Sequence, residues 1–159
     1  MKGALAALLL SAAPLAAAAG PAQLDEAAVG RFVASFDAAE RAGDVAAIGA
    51  ALAADCRVEM RATTEGHELV TALARDEYLA DLGDFYASLH DLAGYEYRSE
   101  PAHVTLASGA AAASVTRQVT EAFVADGERR AFHIEETTRV ELRDGQLAIT
   151  MLSSQSRAD

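Results

Sequence analysis

The chain has 159 residues and carries 13 Lys+Arg against 24 Asp+Glu, a formal net charge of −11. That length holds one domain, two at most, and the acidic balance argues against nucleic acid or an anionic membrane surface as partner. A single Cys excludes a disulfide scaffold and an all-Cys zinc site.

Met1–Gly20 reads as an export signal and is set aside from the fold. Lys2 and the amino terminus supply a positive start, Ala4–Leu10 an apolar core, and Ala17-Ala18-Ala19-Gly20 the small-residue cleavage pattern. Cleavage is expected after Ala19, with Ala22 as the alternative; Pro21 obstructs cut sites beside it. Pro14 and the short apolar run speak against a membrane anchor, and without a following Cys there is no lipid attachment. The Ala-rich signal has a bacterial style, so a periplasmic or secreted product is expected, with no membrane contact after cleavage. That product has twelve Arg, no Lys and all 24 acids.

Leu24–Ala42 has the spacing of an amphipathic helix. Leu24, Ala28, Phe32, Phe36 and Ala39 lie on its apolar side, and Asp37, Glu40 and Arg41 on the polar side. Gly43 stops it, and Asp44 caps a second helix over Val45–Ala53. Asp55 opens a strand in which Cys56, Val58 and Met60 alternate with Arg57, Glu59 and Arg61. Thr63–Gly66 is a polar turn, and Leu69–Ala74 a short apolar piece of open type. Asp76–Leu92 is a third helix with Tyr78, Leu82, Phe85, Tyr86 and Leu89 on one face. Strands then follow over Tyr95–Ala107, Ala111–Ala125, Arg130–Leu142 and Gln146–Gln155. Ser108-Gly109, Asp126-Gly127 and Asp144-Gly145 sit at their joints, suited to tight hairpin turns. The pattern is one α+β domain over residues 24–156.

Two-residue turns at the last two joints fix the strand register. The first hairpin pairs Val119 with Ile134, Arg117 with Glu136 and Val115 with Thr138. The second pairs Leu142 with Leu147, Val140 with Ile149, Thr138 with Met151 and Glu136 with Ser153. Apolar residues then meet on one face. Ser114, Thr116, Gln118 and Thr120 take the other, beside His133, Glu135, Thr137, Arg139 and Glu141. Arg117 and Glu136 thus lie opposite each other on the apolar face, with Glu121 opposite Phe132. Charge there needs a partner, a ligand or water. The pair is read either as the polar end of a ligand pocket or as a structural ion pair.

The order of elements resembles nuclear transport factor 2-like (SnoaL-like) domains. The residues that carry the likeness are Ala42-Gly43-Asp44, Leu52 to Met60, Arg75-Asp76-Glu77-Tyr78 and the late Asp144-Gly145 turn. The resemblance implies three N-terminal helices packed in a curved, mostly antiparallel sheet around a cone-shaped pocket. It also implies a homodimer through the outer sheet face. Some members of that superfamily are enzymes and others bind ligands or proteins. In the ketosteroid isomerase branch a Tyr on the first helix and an Asp on the first strand do the chemistry. Here those positions fall at Phe36 and Met60, which neither donate nor abstract a proton, and strand alternation turns Glu59 to the opposite face.

The pocket candidates are therefore Arg117, Glu136, Glu121, Phe36, Met60, Tyr78 and Tyr86. Three functions stay open: a binder of a small, partly apolar ligand, an acid–base enzyme (lyase, isomerase or hydrolase), and an interaction dimer with a filled cone. In the enzyme, Glu136 or Glu121 would be the base, with Arg117 or a Tyr stabilising developing charge. His67, His90, His103 and His133 lack metal-ligand spacing. Cys56 reads as a small core residue, and no motif indicates a cofactor.

Overall fold

A computed structural model describes residues 23–64, 67–89 and 93–158. The export-signal reading falls outside them, as do the tip of the turn at 65–66 and the end of the third helix at 90–92. Helix α1 spans Glu26–Ala42, and its start is set by Asp25, whose carboxylate accepts the Ala28 N–H at 2.7 Å. It ends at Gly43, whose φ of 65° lets the chain turn left-handed. Asp44 caps α2 (Val45–Ala51) by accepting the Ala47 N–H at 3.0 Å.

Strand β1 (Leu52–Thr64) turns back into β2 (His67–Ala74), and α3 follows at once over Arg75–Leu89. The rest is β3 (Ala93–Ser99), β4 (His103–Leu106), β5 (Ala112–Ala125), β6 (Glu128–Arg143) and β7 (Gln146–Ala158). The sheet order is β2-β1-β7-β6-β5-β3, with β4 also on β5. The β1–β7 pair is parallel and the other pairs are antiparallel. The helices pack against this curved, unclosed sheet, and Val29, Val33, Phe36, Ile48, Val58, Val115, Val140, Ile149 and Leu152 are buried between them.

Several boundaries differ from the sequence reading: α1 starts at Glu26 and not Leu24, β1 at Leu52 and not Asp55, and the last strands run longer, over Glu128–Arg143 and Gln146–Ala158. Helix α2 stops at Ala51 because Leu52 is extended and pairs with Ile149. The Tyr95–Ala107 strand is two strands, broken at Glu100-Pro101-Ala102; Pro101 has no N–H for the ladder. β3 and β4 lie end to end along β5, with Ser99 on Val119 and His103 on Thr116. Helix α3 begins one residue early, at Arg75.

The β5–β6 register pairs Arg117 with Glu136, Val119 with Ile134 and Glu121 with Phe132. Its turn, Asp126-Gly127, has φ of 55° and 79°, the left-handed pair that such hairpins need. The β6–β7 register starts as read, with Leu142 on Leu147 and Val140 on Ile149. Then Thr150 is skipped. Arg139 pairs with Met151, Thr138 with Leu152 and Glu136 with Ser154, not Thr138 with Met151 and Glu136 with Ser153. This bulge turns Leu152 into the core and leaves Met151 outside.

Candidate functional site

Val29, Val33, Phe36 and Glu40 follow one another along the buried stripe of α1. Glu40 is therefore inside, not on the polar side where its charge suggested. Across from it, β5 and β6 present Arg117 and Glu136 from the inner face. Arg117, with a side chain only 3% exposed, is the centre of the cluster. Its Nε and Nη2 donate to Glu136 Oε1 at 2.8 and 2.6 Å. Nη2 also donates to Glu40 Oε2. Nη1 donates to Asp37 Oδ1 at 3.0 Å and to the Tyr97 hydroxyl at 3.4 Å. These five bonds match the five N–H donors of a guanidinium. The Arg117 guanidinium carbon also stands 5.4 Å from the centre of the Phe36 ring.

Around this cation the acids outnumber the charge. The Tyr97 hydroxyl lies 3.0 Å from Asp37 Oδ1 and 3.2 Å from Glu40 Oε2, and its single proton serves one at a time. Burial and the nearby Glu136 push the Glu40 carboxyl up to about 8, against the pull of Arg117. Burial likewise raises Glu136, with Arg117 opposing, and raises Glu121. Glu121 accepts a hydrogen bond from the Tyr95 hydroxyl at 3.1 Å. The Tyr86 hydroxyl donates to the Glu40 carbonyl at 3.0 Å, which holds the last turn of α1 beside the cluster.

A cavity of about 290 Å3 opens beside these groups. Arg117, Glu136, Glu121, Met60, Tyr78 and Tyr86 line it, together with Glu40 and Tyr97. Phe36 is buried beneath the guanidinium, outside the cavity wall. Its apolar walls include Leu82, Phe85, Val119, Ile134 and Leu152, and exposed Asp81 stands at its rim. Among the described residues no hydrogen bond reaches the Tyr78 hydroxyl, Glu136 Oε2, Glu40 Oε1 or Glu121 Oε2 at this wall. Burial raises the Tyr78 hydroxyl, and the charges of Glu40 and Glu136 add to the effect.

Asp37, Glu40, Tyr95 and Tyr97 join the site without having been singled out from sequence. The signal for Glu40 was present, since it lies four residues beyond Phe36 and seven beyond Val33. Tyr95 and Tyr97 needed the β3–β5 register, in which Tyr97 opposes Glu121. Cys56 is buried, and its thiol is pushed up to about 11 by burial, the state of an inert core sulfur. Among the described residues no set of three or more His, Cys, Asp or Glu is arranged to hold a metal ion.

No protein-family model matches the sequence, and no curated protein matches it. Solved structures do. A cystatin-like, nuclear transport factor 2-like protein from Novosphingobium aromaticivorans superposes with a TM-score of 0.62 at 13% identity, covering 82% of this chain and 80% of that one. A candidate scytalone dehydratase from the same organism gives 0.59 at 15% identity, with 82% of each chain covered. A nuclear transport factor 2-like protein of unknown function in nutrient uptake, from Rhodospirillum rubrum, gives 0.57 at 18%, covering 80% of this chain and 96% of the other. Likeness at these identities carries the fold alone: the chain has the nuclear transport factor 2-like fold.

Proposed function

We propose that the mature chain is an exported domain that binds one small, partly apolar ligand in the cavity between α3 and the sheet. The observation that carries this reading is an apolar cavity of about 290 Å3 whose lining includes a few polar groups, Glu40, Tyr78, Arg117, Glu121 and Glu136 among them. A concave apolar site with a few polar groups is the usual form of a small-molecule site. The volume is near the lower end of the roughly 300–1,000 Å3 typical of ligand pockets, which suits a compact molecule. Export rests on the residue pattern of the first twenty positions.

A titration with 2-phenylethanol, followed by backbone amide shifts, tests the reading. Saturable shifts are expected near Leu82, Phe85, Val119 and Ile134, and Ile134→Trp, which fills the space, should remove them. A parent protein without saturable shifts overturns the proposal and leaves the filled cone.

A second reading, acid–base catalysis, is favoured by Glu40. A carboxyl held near 8 keeps a proton to give at neutral pH beside the cavity. Arg117 is not the group that stabilises developing charge in this version, because its donors are spent. We also propose that two copies pair through the outer sheet face, where the exposed Met151 lies between Arg57 of β1 and Arg139 of β6.

A further inference from the structure

The charges at the cavity wall are unbalanced in a way that describes the ligand. Among the described residues Arg117 is the one cation there, and Asp37, Glu40, Glu136 and Tyr97 already take its five bonds. A ligand carboxylate or phosphate would find no free donor on it. The other charged side chains of the described residues at the wall are acidic.

Among the described residues Glu121 makes no hydrogen bond or ion pair to the Arg117 cluster. It lies four residues along β5, about 13 Å at the rise of a strand. Among the described residues no cation reaches ion-pair distance of it, and its hydrogen bond comes from the neutral Tyr95 hydroxyl. Burial raises its carboxyl, with the Tyr95 hydrogen bond opposing and the charge of Glu136 adding to the rise, and no cation is among the causes. Aromatic rings gather at the same end. Phe85 packs on Tyr86 with ring centres 5.5 Å apart, and on Tyr95 edge to face at 6.5 Å. Phe85 and Tyr86 line the cavity with Glu121. Ring faces beside an uncompensated carboxylate favour an ammonium group, through the ring quadrupoles and a charge-assisted hydrogen bond. Tyr78 and Glu136 line the same cavity together with the apolar Val119 and Ile134.

Building on the ligand-binding reading above, we propose that the ligand is a small organic cation, a primary or methylated ammonium on an apolar body. Glu121, held by the Tyr95 hydroxyl, seats the ammonium beside Phe85 and Tyr86. The body lies along Val119 and Ile134.

Three probes of similar shape test this on the intact protein: 2-phenylethylammonium, 2-phenylethanol and phenylacetate, each titrated against amide shifts. The ammonium is expected to bind about tenfold tighter than the alcohol, with phenylacetate weakest. Glu121→Gln should erase the ammonium preference while the alcohol's affinity stays within about twofold, since only the charge is removed. Phe85→Leu keeps the carboxyl and removes a ring face; it should cost the ammonium about threefold more than the alcohol. This variant decides the matter if Glu121→Gln fails to fold. Equal binding of alcohol and ammonium overturns the cation inference and leaves the cavity reading standing. Tightest binding by phenylacetate also overturns it and returns attention to Arg117. An ammonium preference that survives Glu121→Gln overturns the Glu121 seat. Binding of none of the three removes both readings.

Discussion

Arg117 joins three carboxyl groups from two different parts of the chain, so removing it costs more than one ion pair. Asp37 and Glu40 come from α1 and Glu136 from β6. Without the guanidinium they face one another in a buried space. Arg117→Ala is expected to destabilise the fold by about 3–5 kcal/mol, because breaking one side of a buried pair leaves the other uncompensated. Arg117→Lys should recover little, since one ammonium cannot reproduce a planar fork of five donors. Thermal melts of both variants check this; an unchanged Tm for Arg117→Ala would place the pair in solvent. The pH dependence has a defined sign. Glu40 is raised in the fold from the ordinary 4.5 to about 8, so the folded state holds a proton that the unfolded state has lost. Its contribution is full below about pH 4.5 and is lost as pH rises toward 8, at no more than about 1.4 kcal/mol per pH unit. Glu121 and Glu136, also raised, act in the same direction. Urea midpoints between pH 5 and pH 8 should therefore decline, and Glu40→Gln should flatten the decline. An identical slope in the variant would assign the titration to other groups.

At the scale of elements, the joint between α1 and α2 is the most constrained. Gly43 sits at φ +65°, and a Cβ there would come within 3.3 Å of the Tyr86 ring. Gly43→Ala is expected to cost about 1–2 kcal/mol from the left-handed backbone alone, measured as a shift in the denaturation midpoint. A loss below about 0.5 kcal/mol would mean the turn relaxes into another conformation. The β5–β6 hairpin was legible from sequence because its turn residues and its alternation agree on one register. That register sets Arg117 opposite Glu136. The β6–β7 hairpin was half legible. Its turn set the first pairs, but the bulge at Thr150 leaves no mark in composition, and one skipped residue exchanges the faces of Met151 and Leu152. Glu40 was obscured by a sound general rule, since acids on helices ordinarily face water. Only the cation supplied from β5 makes its inward place tenable, and no pattern local to α1 announces that partner.

For the molecule as a whole, the sequence shows the order of elements, and that order carried the fold. The cavity depends on how far α3 stands from the sheet, a distance set by packing that no motif encodes. Two expectations belong at this scale. Intact mass of protein recovered from a bacterial periplasm should correspond to a chain beginning at Gly20 or Gln23; a mass retaining Met1 would refute export by cleavage. Sedimentation should show a dimer that Met151→Arg converts to monomer, since Met151 is 41% exposed on the outer face. A parent protein that sediments as a monomer would remove the proposed pairing. The tie between cavity and helix has a further consequence. The Glu40 side chain bonds Arg117 at the cavity, while its backbone carbonyl accepts both the Gly43 N–H that closes α1 and the Tyr86 hydroxyl. The same residue thus joins the ionisation of the interior to the fraying of a helix end. Slow hydrogen exchange at Gly43 and Asp44 becomes an outside gauge of the charge within, readable before any ligand is known.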